Sequence, residues 1–155
     1  MSDFLIWTDG GCNPNPGTGG YGIIIKNNII QDETEKERER QQGFIKSTNN
    51  RMELLAVIEA LKEIPKEASV KLYTDSTYVV NHVKGDEKKN NNHDLWKLFD
   101  EVMENRNSVE FVWVKGYKKA EITDEIHMNN KRCDEMVHKA RKGVLIPDKG
   151  YNPKS

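Results

Sequence analysis

The apolar positions of the chain fall into short runs divided by glycine-rich, polar or charged stretches, and their spacing changes along the sequence. Phe4 to Thr8 is apolar at successive positions, the pattern of a central strand covered on both faces, and the strand is expected to end at Asp9, where a glycine-rich segment reaching Gly22 begins. Tyr21 to Lys26 reads as a second strand that turns at Asn27-Asn28, and a third starts at Ile29 and reaches about Phe44. The three make an antiparallel meander. Inside it, Asp32 to Arg40 mixes both charge signs without an apolar face, which fits a solvated hairpin extension better than a short helix.

Beyond the meander the period lengthens. From Asn50, the residues Leu54, Leu55, Ile58 and Leu61 recur at helical spacing until Pro65 stops the pattern. Val70 to Thr74 is another apolar run, ending in Asp75; Ser76 to Lys84 predicts a short helix, Gly85 to Asn92 an exposed loop, and Leu95, Leu98, Phe99 and Val102 a further helix. Val109 to Val114 is the last strand, Tyr117 to Asn130 a long polar connection, and Arg132 to Lys142 a closing helix. This order predicts an α/β fold whose five-stranded mixed sheet, three antiparallel strands plus two parallel ones, is flanked by helices. Residues 1–146 are expected to form one domain and residues 147–155 a flexible tail.

Composition narrows the function classes. A chain of 155 residues is large enough for one core. Its 24 Lys plus Arg and 25 Asp plus Glu give a net charge of −1, so any polyanionic partner must be held by local patches rather than a global basic field. No apolar stretch approaches the ~20 residues that span a bilayer, and the N-terminus lacks a signal-peptide pattern, so a soluble, cytoplasmic protein without membrane contact is expected. Cys12 and Cys133 are the two cysteines and are expected to be reduced.

The acids carry the candidate chemistry. Asp9 and Asp75 each follow an apolar strand, at the carboxyl ends where ligands of such sheets sit. Each acid also has a plainer explanation: Asp9 as a turn former, Glu53 as the partner of Asn50 in a capping box, Asp75 as a helix cap, Asp134 as a complement to a helix dipole. The expected fold nevertheless brings all of them to one sheet edge, where their repulsion calls for cations. Oxygen ligands alone select hard ions such as Mg²⁺, with Mn²⁺ as substitute. Two such ions can activate water and stabilise a leaving oxygen in phosphodiester hydrolysis.

Several short motifs then combine. Thr8-Asp9-Gly10-Gly11-Cys12, Asn15-Pro16-Gly17, Gly19-Gly20-Tyr21-Gly22, Thr48-Asn49-Asn50-Arg51-Met52-Glu53-Leu54, Thr74-Asp75-Ser76, Trp113-Val114-Lys115-Gly116 and Asn130-Lys131-Arg132-Cys133-Asp134-Glu135 together resemble type 1 ribonuclease H from Trp7 to Ala140. The resemblance implies a ribonuclease H-like fold and endonucleolytic hydrolysis of the RNA strand of RNA–DNA hybrids, leaving 5′-phosphate and 3′-hydroxyl ends. It makes Asp9, Glu53, Asp75 and Asp134 the ligands of two Mg²⁺ ions. It sets Asn15, Asn49 and Asn50 beside the minor groove of the hybrid and Thr48 near a DNA phosphate, with Gly10, Gly11, Cys12, Thr77 and Lys115 also facing substrate. The expected state is a monomer, with room for an unidentified partner that improves the grip on substrate.

Two departures from the family pattern stand out. Many relatives carry a His after the Lys-Gly of the last strand, where this chain has Tyr117, and the connection to Asp134 is longer. His127 is therefore a candidate for the missing role, against the plain reading of an ordinary loop His. Between Asp75 and Trp96 the basic, Trp-rich handle of bacterial relatives is reduced to Lys84 to Lys89 and an Asn run, leaving Lys84, Lys88, Lys115, Lys118 and Lys119 as candidate phosphate contacts. The competing functions are a non-catalytic hybrid-binding module and another nuclease or transposase-like enzyme on the same fold.

Overall fold

The structure is a computed structural model that describes residues 2–30, 32, 34, 36–85, 90–115 and 124–153. The chain runs β1 (Phe4–Cys12), β2 (Gly17–Asn27), β3 (Glu37–Ser47), α1 (Asn49–Lys62), β4 (Val70–Thr74), α2 (Thr77–Lys84), α3 (His93–Met103), β5 (Val109–Trp113), α4 (Glu125–Lys142) and β6 (Leu145–Ile146). The strands form one mixed sheet in the order β5-β4-β1-β2-β3-β6. β1, β2 and β3 are the antiparallel meander, while β4 joins β1, and β5 joins β4, in parallel. The expected five strands become six because Leu145 and Ile146 pair in parallel with Gly43 and Phe44 at the far edge.

Strand periodicity divides the core in two. Phe4, Ile6, Ile23 and Ile25 face α1, α2 and α3, where they pack with Leu54, Val57, Ile58, Val79, Leu95 and Phe99. Their neighbours Trp7 and Ile24 point to the other face and meet Cys133 and Met136 of α4. Every side of β1 is therefore covered, which is why its sequence is apolar without alternation.

Three boundaries differ from expectation in ways that bear on the site. β1 does not end at Asp9: it pairs with β2 as far as Cys12, whereas its parallel partner β4 stops at Thr74, opposite Thr8. Asp9 thus lies where β1 loses one of its two neighbours. β3 begins at Glu37 rather than Ile29, and Arg38 to Arg40 extend the hairpin as strand. α4 begins at Glu125, not Arg132, so Asp134 stands in mid-helix.

The segment after Ile146 is not a loose tail up to Tyr151. The Asp148 carboxylate accepts hydrogen bonds from Ser47 Oγ at 2.7 Å and from Arg51 Nε at 2.8 Å. A buried guanidinium and a buried carboxylate hold each other only when both are paired, and neither signal is visible in local composition. Cys12 and Cys133 are both free thiols, as expected. Among the described residues, no helix is long and apolar enough to cross a membrane.

Candidate active site

Asp9 is buried in β1, and the two glycines around it decide what surrounds it. A β-carbon on Gly10 would overlap the backbone of Met52 and Glu53, so the bare strand lets α1 lie against it and delivers Glu53 to Asp9. Across the ladder Asp9 pairs with Gly22, where a β-carbon would stand 2.7 Å from Cys133 O and 2.8 Å from Met136 Cβ of α4. Asp134 follows Cys133 on that helix. Asp75 arrives from the neighbouring strand, one residue past the Thr8–Thr74 pair.

The plainer roles of these acids are taken by others. Thr48 caps α1, accepting from Arg51 N at 3.3 Å, so the capping box between Asn50 and Glu53 does not form. Ser76 caps α2 by accepting from Val79 N at 3.1 Å, which removes that role from Asp75. Trp113 Nε1 donates to the Asp75 carbonyl at 3.3 Å and steadies the backbone there.

Asp9, Glu53 and Asp75 each offer an oxygen, and these atoms lie within 4.8 Å of one another. Burial pushes the Asp9 carboxyl well above the ordinary carboxylate range, and the charges of Asp75 and Asp134 add to it. Glu53 is raised likewise, by burial first and then by Asp9 and Asp75. Burial also raises Asp75. Asp134 is exposed and contributes to Asp9 and Asp75 through its field, with His138 Nε2 at 3.7 Å from Oδ2. Glu53 Oε1 is buried with no hydrogen-bond partner. Crowded carboxylates with an orphaned buried oxygen and no thiolate or imidazole in the group fit a hard divalent cation.

Around this centre lie the residues that the sequence reading set beside substrate. Asn49 Oδ1 accepts from Cys12 N at 2.7 Å, and Asn15 Oδ1 accepts from Asn49 N at 3.0 Å. With both carbonyl oxygens engaged inside the protein, these amides have N–H donors to offer a ligand. Gly11 packs 3.7 Å, measured from a notional β-carbon, from Asn49 Oδ1. Asn50 and Thr77 are exposed in the first turns of α1 and α2, and Lys115 is exposed just past β5.

His127 is not on a free loop. It lies in the first turn of α4, where its backbone N–H and its imidazole Nδ1 both meet the Asp124 cap, at 3.0 and 2.8 Å. It precedes Asp134 by seven residues, roughly 10.5 Å along a helix axis. Tyr117, Lys88, Lys118 and Lys119 lie outside the described residues. Between α2 and α3, Tyr78, His82 and Trp96 pack together, with Trp96 Nε1 donating to Tyr78 Oη at 2.9 Å. Sequence reasoning missed the buried Arg51, whose guanidinium ties α1 to Asp94 and Asp148.

A mixed sheet with helices on both faces and acids gathered at the ends of its adjacent central strands defines an α/β protein with a carboxylate site suited to phosphoryl chemistry. Comparison with known proteins specifies it further. The RNase H family model matches residues 1–142. The ribonuclease H of Pseudoalteromonas atlantica is 39% identical over 97% of this chain and 99% of its own length. The ribonuclease HI of Haemophilus ducreyi is 35% identical over 99% of each. LC11-RNase H1, solved in complex with RNA/DNA hybrid, superposes with a TM-score of 0.68 at 24% identity, covering 90% of this chain and 96% of that one. The chain belongs to the ribonuclease H family, enzymes that hydrolyse the RNA strand of RNA–DNA hybrids.

Proposed function

We propose that this chain cuts the RNA strand of RNA–DNA hybrids internally, leaving 5′-phosphate and 3′-hydroxyl ends, with two Mg²⁺ ions, replaceable by Mn²⁺, held by Asp9, Glu53, Asp75 and Asp134. The observation that carries this reading is the carboxylate group itself, three acids with oxygens within 4.8 Å. Bound there, the ions supply an activated water and stabilise the departing oxygen. Glu53 Oε1, which lacks a protein partner, is the natural inner ligand. Asp134, exposed on α4, closes the open side.

The chain's own residues select and orient the substrate. Amide donors of Asn15, Asn49 and Asn50 face acceptors in the minor groove, where 2′-hydroxyls distinguish RNA from DNA. Thr48, at the start of α1, holds a DNA phosphate with help from the helix N-terminus. Gly10, Gly11 and Cys12 form the floor beside Asp9, and Thr77 and Lys115 flank it. The hybrid complex of LC11-RNase H1 supports this choice of substrate by analogy. We assign His127 to the cap of α4, a role that its contacts with Asp124 support, rather than to proton transfer. The reading is of a monomeric, cytoplasmic enzyme.

The decisive experiment compares matched hybrid, double-stranded RNA and double-stranded DNA, each with and without Mg²⁺. Cleavage of the RNA strand of hybrid alone, and only with metal, is expected. Metal-independent cleavage, or efficient cutting of the all-DNA duplex, overturns the proposal.

A further inference from the structure

The carboxyl-terminal segment is fastened directly behind the residues assigned to substrate. Asp148 and Arg51 have side chains only 5% and 4% exposed. The carboxylate takes two guanidinium donors, Nε at 2.8 Å and NH2 at 3.0 Å, the bidentate geometry of a strong charge-assisted pair. Ser47 Oγ adds a third donor. The remaining Arg51 donors go to Asp94, at 2.9 and 2.8 Å, and to Asn92.

Gly150 rests on that ion pair. A β-carbon there would overlap Asp94 Oδ2 and come within 2.8 Å of Arg51 NH2, so a larger residue must displace the Asp94 carboxylate or lift the backbone. A turn then follows, Tyr151 N donating to Asp148 O at 3.1 Å. Tyr151 and Asn152 line a pocket of about 240 Å³ together with Asn15, Thr48, Asn50 and Asn92. The other lining residues thus include members of the proposed hybrid interface.

We propose that residues 148–152 are a latched strap belonging to the substrate site, in which Tyr151 and Asn152 donate hydrogen bonds to the sugar–phosphate backbone of the bound hybrid. The pocket presents amides and hydroxyls, and its guanidinium is already neutralised by Asp94 and Asp148. Such a wall recognises backbone oxygens as neutral donors and displaces no counterions. It supplies grip that depends little on salt, in a chain whose basic handle is reduced. The inference rests on the proposed hybrid substrate.

The test uses the full chain and one labelled RNA–DNA hybrid, with steady-state cleavage in Mg²⁺, binding by fluorescence anisotropy over a salt series, and thermal melting. In the Tyr151→Phe/Asn152→Ala double variant, KM and Kd should rise about two- to tenfold per lost neutral hydrogen bond. Its kcat, its melting temperature and the slope of log Kd against log salt should stay near wild type. Gly150→Ala, whose methyl group must displace the Asp94 carboxylate or lift the strap, should lower the melting temperature. A double variant with wild-type KM and Kd overturns the strap, and a Gly150→Ala protein that melts like wild type overturns its latch. If the wild-type chain fails to cut hybrid, the underlying function falls first; if it cuts and the variants match it, only the strap falls.

Discussion

Asp9 and Gly22 are cross-strand partners, and the missing side chain of the glycine is what admits α4 to the active site. The backbone of Cys133 occupies the space that a β-carbon on Gly22 would take, and Asp134 is the next residue along. A residue with no chemistry of its own therefore fixes the distance between two acids.

Gly22→Ala should accordingly weaken both fold and activity. Overfilling a packed contact typically costs about 1–3 kcal/mol, and here the atom displaced is backbone. Urea denaturation should show a loss of that size, and kcat should fall because Asp134 moves with α4. An unchanged kcat at full structural damage would show that Asp134 is dispensable.

Asp9→Asn and Asp75→Asn should each abolish hybrid cleavage while leaving the fold intact. Stability gives an independent check through pH. The folded-state pKa of Asp9 is raised above its ordinary 3.8, so the group contributes most favourably when protonated, below the unfolded value. That contribution is lost as pH rises through the folded pKa. In chelator, wild type should therefore lose melting temperature relative to Asp9→Asn between acid and neutral pH. Parallel melting curves across that range would remove the argument from crowded charge.

His127→Ala should leave kcat within a few-fold of wild type and lower the melting temperature, as should Asp124→Ala, because both residues satisfy the first turn of α4. A general acid or base contributes about 10²-fold or more, so a drop of that size in kcat, with an altered pH profile, would restore a catalytic role to His127.

Replacing the ribose at the cut with 2′-deoxyribose should stop cleavage there while binding falls far less, since in the proposed reading the Asn donors read that strand and many phosphate contacts remain. Among the described lysines, Lys84 and Lys115 are exposed candidates for those contacts. Lys115→Ala should make the log–log salt slope shallower by about 0.9, the value for one neutralised phosphate on a B-form duplex. A slope equal to wild type would place Lys115 off the phosphate path.

How much of this was legible in the chain follows from what each feature depends on. Strand and helix periods are local, so β1, the meander, α1, β4 and β5 could be read from spacing, and the acids at strand ends pointed to one sheet edge. The motifs from Thr8 to Glu135 carry the family resemblance in the sequence itself. Local pattern also misled where two partners compete for one residue. Glu53 and Asp75 carry plausible capping signals, yet Thr48 and Ser76 cap the helices because the acids are drawn to each other's site by packing. Gly10 and Gly20 lie in what reads as a glycine-rich break before the second strand, but they are strand positions kept bare for helices distant in sequence.

What only the tertiary structure decided are relationships across long separations. The pairing of Arg51 with Asp148 spans 97 residues, and nothing in the polar run after Ile146 signals that it is anchored. The early start of α4, which turns His127 from a loop residue into part of a helix cap, depends on Asp124 and on Trp7 Nε1 reaching the Ile126 carbonyl at 3.1 Å. Sequence alone sets the period of each element and the chemistry it carries, because both are written in neighbouring residues. Which acids meet, which glycines must stay bare and whether the last segment is free depend on the close packing of distant elements, where a single methyl group is the difference between contact and collision.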